Sequence, residues 1–353
     1  MTTSERIVRT VCLFCREPNP GAEDRLRSVA ATLMSAGFEV QTLRICCPAA
    51  DPGRLTEIFP AEDLLLSAGS VSFASLPATL PALYSSSRLF LNCDLTNEVI
   101  GPEHAGLLID MAHRYPEATF RFAFTFRNAA SSPYFPSAAY ARDGFAVGLQ
   151  STNLAVGCTS LEQWLNRMQA VWQDLVRLLD GEHPGERRKD RAYPADHFLG
   201  IDSSVAPLFK GPGSLIRLTR ELGPGFNRAV TTDFFLRTTA FLAHANPRPV
   251  GLCGLMFPCL EDFELAEEYD RGRFSLERNL FLALHSGLGV DTYPFGTDEN
   301  PARLAEVLRL VQGLARKHAK PLSVRLVSDG RARIGERTHF QNPYLKDVSV
   351  RAL

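Results

Sequence analysis

The chain has 353 residues, 45% apolar and 22% charged, which is the balance of a soluble globular protein, and its length allows two ordinary domains or one large α/β unit. Its 38 Lys and Arg nearly cancel its 39 Asp and Glu. That removes the broad positive field that nucleic acid or an anionic membrane demands of a partner and leaves a small-molecule ligand as the expectation.

Residues 1–7 are polar and lack the apolar leader of a signal peptide, and no run approaches a membrane span, so a cytoplasmic location is expected. Residues 7–15 are β-rich, and a turn at residues 18–21 follows. Leu26, Val29, Ala30 and Leu33 then recur at helical spacing until Gly37, and residues 38–46 return as a strand. A strand–helix–strand unit of this length places its two strands in parallel. The alternation continues with a helix near residues 62–67, a strand at 89–93, a helix at 103–115, and strands at 120–126 and 144–149.

Residues 161–179 carry Trp164, Met168, Val171, Trp172, Leu175 and Leu178 on one side of a long amphipathic helix. Residues 181–195 are dense in charge, glycine and proline and read as a linker between halves 1–180 and 196–353, both contributing to one fold. The second half opens with a strand ending in Asp202-Ser203-Ser204. Lys210-Gly211-Pro212-Gly213-Ser214 follows, where backbone N–H groups at a helix start can hold an anion. Residues 229–242 read as a helix, and residues 250–256 as a buried run that breaks at Pro258 into Glu261-Asp262. Ser275 is placed to cap a helix whose buried stripe is Leu276, Leu280, Phe281 and Leu284. Asn300-Pro301 starts another helix, Lys320-Pro321 stops it, and residues 322–327 form a strand.

Several stretches resemble one family. They are Phe198-Leu-Gly-Ile-Asp-Ser-Ser-Val-Ala-Pro207, Gly254-Leu-Met-Phe-Pro-Cys-Leu-Glu-Asp262, Gly287-Leu-Gly-Val-Asp-Thr-Tyr-Pro294, Lys320-Pro-Leu-Ser-Val-Arg-Leu326 and Phe340-Gln-Asn-Pro-Tyr-Leu345. Val8-Arg9-Thr10 and Val40-Gln41-Thr42-Leu43-Arg44 join them. Together they resemble the family called domain of unknown function 711, also uncharacterised protein family 0210. The resemblance implies an α/β barrel-like arrangement of parallel sheets with surrounding helices, similar to pyruvate formate-lyase and anaerobic ribonucleotide reductase. It does not imply their radical reaction, because Arg333-Ile334-Gly335-Glu336 departs from the glycyl-radical signature.

The candidate chemistry centres on acids that follow strands or apolar runs. Asp202, Asp262 and Asp291 are the expected catalytic groups, and Glu261, Asp262, Asp291 and Asp298 the expected ligands of a divalent cation such as magnesium, because converging carboxylates repel unless a cation or shared protons relieve them. Ser204, Thr292, Lys320 and Arg325 are the expected substrate contacts, the last two for a carboxylate or phosphate. The competing reading makes Asp262 and Asp298 helix caps and has Asp202 and Asp291 satisfy backbone groups in turns. Eight cysteines lie mostly in apolar runs, and Cys253 and Cys259 are the candidates for a reactive thiol. His197, His285 and His339 read as structural.

These residues point to an enzyme performing polar, metal-assisted chemistry on a small anionic metabolite, of lyase or hydrolase type rather than redox, with a homo-oligomer allowed. A metabolite-binding regulator on a disused barrel and a cysteine-dependent redox or radical-type enzyme are the alternatives.

Overall fold

The structure, a computed structural model, describes residues 6–19, 21–48, 50–180 and 198–353. The expected linker at 181–195, and His197, lie outside the described residues.

The elements alternate as the periodicities require. Strand β1 (Ile7–Phe14) leads to α1 (Gly21–Ser35), whose buried Leu26, Val29, Ala30 and Leu33 are the expected stripe. Next come β2 (Glu39–Val40), β3 (Leu43–Cys46), α2 (Pro52–Ile58), β4 (Leu64–Val71), α3 (Leu76–Ser85), β5 (Leu89–Asp94), α4 (Pro102–Arg114), α5 (Pro116–Arg121), β6 (Phe122–Phe126), β7 (Gly144–Leu149) and α6 (Leu161–Asp180). After the undescribed stretch follow β8 (Phe198–Asp202), α7 (Leu215–Leu222), α8 (Phe226–Ala229), α9 (Phe234–His244), α10 (Phe263–Asp270), α11 (Leu276–His285), β9 (Gly289–Pro294), α12 (Pro301–His318) and β10 (Leu322–Val327). No helix among the described residues is long and apolar enough to cross a membrane.

Four expectations change. Residues 62–67 are not a helix but enter β4, whose Leu64, Leu66 and Ser67 are buried; a strand covered on both faces shows an apolar run instead of alternation, which periodicity cannot separate from a helix. Residues 229–242 split into α8 and α9. Helix α11 is capped by Ser275 as expected, but its buried face is Leu276, Asn279, Leu282 and Ala283, while Phe281 and Leu284 are exposed. Residues 250–256, expected as a buried run, have only Gly254 and Leu255 buried and form no regular strand. Pro249 and Pro258 withhold N–H donors at either end, and Gly251 and Cys253 take left-handed φ values of 73° and 46°.

The strands form one 10-stranded sheet in the order β8-β7-β1-β3-β4-β5-β6-β10-β9, with β2 beside β1. Strands β1, β3, β4, β5 and β6 run parallel, the β1·β3 pair as the first strand–helix–strand unit predicts. The junctions β1·β7 and β6·β10 are antiparallel, whereas β7·β8 and β9·β10 are parallel. Regular pairing ends at β8 and β9. Between them the irregular run at 249–258 makes single parallel bridges, Ile201 to Pro249 and Val205 to Leu255 on one side, Leu255 to Gly287 and Pro258 to Asp291 on the other.

Both sheet faces are buried. Val11 and Leu13 of β1 pack in the large core with the helices, while Cys12 and Phe14 pack on the opposite face with Cys46, Phe90, Phe135, Ala138, Ala146 and Leu199. That second face is covered by the loop between β6 and β7, whose residues 131–138 are all buried. Buried Asn92 holds the loop by donating to Pro136 O at 2.7 Å and Ala138 O at 2.9 Å. A loop buried in this way needs such partners for its carbonyls.

Candidate functional site

The site is built where the sheet departs from regular register. Across β1 and β7, Val8 faces Leu149 and Thr10 faces Gly148, so Arg9 is the extra residue of a bulge. Across β10 and β9, Val324 faces Val290 and Leu326 faces Tyr293, so Asp291 and Thr292 together oppose Arg325. Thr292 takes the left-handed φ of 39° that this irregularity needs. Bulges re-aim side chains, and here they direct Arg9 and Asp291 to the same cavity.

Arg325 is the centre of an ion-pair triad. Its Nε donates to Asp291 Oδ1 at 2.7 Å and its Nη2 to Glu261 Oε2, while the guanidinium lies 5.2 Å from the Phe120 ring centroid. Burial pulls the proton affinity of Arg325 down, and the two carboxylates more than offset it, so the group stays charged. Burial likewise raises the pKa of Glu261, opposed first by Arg325 and reinforced by Asp291.

Arg44 and Arg9 complete the cluster without carboxylates of their own. Arg44, on β3 opposite Cys12, is 7% exposed, donates to Pro133 O and Thr42 Oγ1 at 3.2 Å each, and lies 5.0 Å from the Phe135 centroid. Burial, and then the charge of Arg9, lower its pKa to about 10. Arg9 donates to Gln41 Oε1 at 3.2 Å, and burial lowers its pKa also. Among the described residues neither makes an ion pair.

Two adjoining cavities share Arg9, Arg44, Phe135, Glu261 and Arg325. The inner one, about 70 Å³, includes Asp291 and Tyr134; the outer one, about 700 Å³, is walled partly by residues 328–331 and 339–345 of the C-terminal tail.

The model of the family described as Uncharacterised ACR (DUF711) matches residues 102–341. The chain belongs to this family. No curated protein matches it. The family match takes in Glu261, Asp291 and Arg325 of the site, whereas Arg9 and Arg44 precede it.

Of the acids expected to converge, only Glu261 and Asp291 do so. Asp202 is fully buried and accepts hydrogen bonds from Ser132 Oγ, Ser204 N, Ser204 Oγ, Leu252 N and Cys253 N, which makes it a tie between loops and leaves it outside both cavity linings. Ser204 is part of that tie and also accepts from Gly254 N at 3.1 Å. Asp262 caps α10 through Glu264 N and Leu265 N and also accepts from Leu215 N, the first residue of α7, at 2.8 Å. Ser214 accepts from the next two amides of α7, Ile216 N and Arg217 N. The anion-holding amides expected after Lys210 are therefore taken up by the chain itself. Asp298 accepts from Ile334 N at 2.8 Å and Arg333 Nε at 3.3 Å, fastening the tail.

The expected magnesium ligands thus divide: Glu261 and Asp291 share the Arg325 triad, whereas Asp262 caps α10 and Asp298 fastens the tail. Among the described residues no group of three or more His, Cys, Asp or Glu side chains is placed to hold a metal ion. Lys320 donates to Ala283 O at 2.8 Å near the end of α11, and burial lowers its pKa to about 8; it lines neither cavity. Thr292 is buried with its hydroxyl unpartnered and is likewise outside the linings. Cys253 and Cys259 lie off the cavity walls, and burial raises both thiol pKa values, the opposite of what a thiolate nucleophile requires. His339 lines the outer cavity, while His285 sits beside Ser286 Oγ at 2.7 Å.

The cap at Asp262 carries a pH signature. Burial pushes its carboxyl up to about 7 against the donors of Ser214, Leu215 and Leu265, compared with about 3.9 in the unfolded chain. A raised folded value means that the contribution of this group to stability is fully present below pH ~4 and fades as pH rises through about 7. Asp262→Asn is expected to flatten that decline. Urea midpoints of both proteins across the interval, if they ran parallel, would refute the assignment.

Proposed function

We propose that the protein is an enzyme that binds an organic anion through Arg9 and Arg44 and carries out proton-transfer chemistry on it, with Glu261 as general acid or base. The observation that carries this reading is the pair of cavity-facing guanidinium groups lacking carboxylate partners, beside a carboxyl whose proton affinity is raised. Buried charges in proteins are ordinarily paired. A bound carboxylate or phosphate would supply the missing counter-charge through charge-assisted hydrogen bonds.

Each residue then has a physical task. Arg9 and Arg44 orient the anion at the mouth of the inner cavity. Arg325 holds Glu261 and Asp291 in place and keeps their mutual repulsion compensated. Glu261 borders both cavities, so it can reach the substrate, and its raised pKa brings it nearer to the neutral range in which a carboxyl exchanges protons usefully. Polar chemistry of lyase or hydrolase type fits these groups better than thiol-based chemistry. The single bridges from the 249–258 run to both β8 and β9 support reading the sheet as a barrel of the pyruvate formate-lyase-like kind, with this cavity inside it.

The test is binding of inorganic phosphate and a panel of carboxylic acids by calorimetry. Loss of one charge-assisted contact, about 1.5–3 kcal/mol, predicts that Arg44→Gln weakens the bound anion by roughly 10- to 150-fold. Equal affinities for the two proteins would sink the proposal. Once a turned-over acid is found, Glu261→Gln should retain binding and lose turnover. Tight binding with no turnover in the wild-type chain would favour the metabolite-sensing alternative.

A further inference from the structure

We infer that the acid held by Arg9 and Arg44 carries a ring system, which lies in the outer cavity against Phe90, Phe120, Phe135 and Tyr344; this rests on the proposed anion site and specifies its ligand. The sizes argue first. The inner cavity, about 70 Å³, holds little more than a polar head. The outer cavity, about 700 Å³, is in the range that encloses drug-sized ligands, roughly 300–1,000 Å³. An anion of three or four carbons would leave most of that space to water.

The wall chemistry argues second. Phe135 and Phe120 lie under the guanidinium groups of Arg44 and Arg325, and Phe90 packs on both, with centroids at 5.5 and 6.3 Å. An aromatic floor therefore begins at the arginines and runs outward. Tyr344 of the tail faces Phe120 at 6.5 Å with planes 18° apart, and Phe209 stacks on Tyr344 at 5.5 Å. Tyr344 remains 40% exposed although it stands on the cavity wall, so it has unused ring surface to offer.

Backbone strain argues third. Phe209 takes a left-handed φ of 60°, a costly conformation for a bulky residue. Its N–H donates to the main-chain carbonyl of Glu261 at 2.6 Å, and this backbone geometry sets the Phe209 ring against Tyr344 at the end of the aromatic strip. Flat faces in offset or edge contact reward a ring in the ligand beyond simple area burial.

The experiment compares 3-phenylpropionate, hexanoate and propionate by calorimetry on the full chain, with wild type, Tyr344→Ala and Phe120→Leu. The ring-bearing acid should bind wild type about tenfold or more tightly than either aliphatic acid, and both variants should bring that ratio towards one; circular dichroism melts establish that each variant is folded. If hexanoate matches 3-phenylpropionate, or propionate does, the anion site stands and the ring assignment is overturned. If a folded variant keeps the full ratio, the assignment to this wall is overturned. If inorganic phosphate binds wild type but none of these acids does, the anion site stands and the ring assignment is overturned; if neither phosphate nor any acid binds, the anion site itself fails and this inference with it.

Discussion

Arg325→Met is expected to destabilise the fold by roughly 3–5 kcal/mol, the cost of leaving buried charge without its partner. Methionine fills much of the arginine's volume, so the loss is electrostatic more than steric. The substitution strips the counter-charge from Glu261 and Asp291 together, because one guanidinium serves both. A lysine could not replace it, since an ammonium is a point charge without the planar fork that reaches two carboxylates at once.

The deficit should depend on pH in a defined direction. Burial already raises the folded-state pKa of Glu261, and Arg325 is the main influence opposing it; removing the arginine raises the value further. A carboxyl with a raised folded pKa stabilises below its unfolded value and ceases to do so as pH climbs through the folded value. The gap between Arg325→Met and wild type should therefore be small in acid and widen towards alkaline pH. Urea denaturation at pH 5 and pH 8 would read this out. A constant gap would show that the arginine contributes packing and not charge.

Periodicity made much of the scaffold legible, because α1, α6 and α12 each present one apolar face, and Asn300-Pro301 and Lys320-Pro321 bound α12. It failed where burial was two-sided, as at β4, and at α11, where the presence of Phe281 and Leu284 concealed that buried Asn279 occupies the inward face. The acids were visible, but their tasks were not. An Asp two residues before Ser204 N and an Asp at the start of α10 carry the signatures of a turn and a helix cap, and those local roles prevailed at Asp202 and Asp262.

Arg9 and Arg44 are not among the residues expected at the site, although both stand in family-like segments. Arg44 did leave a signal. It sits among Leu43, Ile45 and Cys46 on a short strand, and two-residue alternation puts it on the same face as Cys46, which is buried. An arginine on a buried sheet face calls for a partner. Arg9 left no such signal, since its direction depends on a bulge whose register only the pairing with β7 defines.

Asp202→Ala should cost on the order of 4 kcal/mol, because it orphans buried donors from three places at once. Ser132 belongs to the loop that covers the inner face of the sheet, Ser204 follows β8, and Leu252 and Cys253 belong to the irregular run beside it. The fit around this carboxyl is close. A Cβ at Gly251 would come within 2.2 Å of Asp202 Oδ2 and 2.8 Å of Ser132 Cα, and φ of 73° there already favours glycine. Asn would not rescue the site, because its NH₂ would point at backbone N–H or hydroxyl donors where an acceptor is needed. Both tied segments also supply inner-cavity residues, Tyr134 and Phe135 from one and Leu252 and Met256 from the other. Stability and anion affinity are therefore expected to fall together in Asp202→Asn, as measured by urea midpoint and calorimetry on the same preparation. A variant as stable as wild type that binds normally and fails only in turnover would return Asp202 to the chemistry and remove it from the framework.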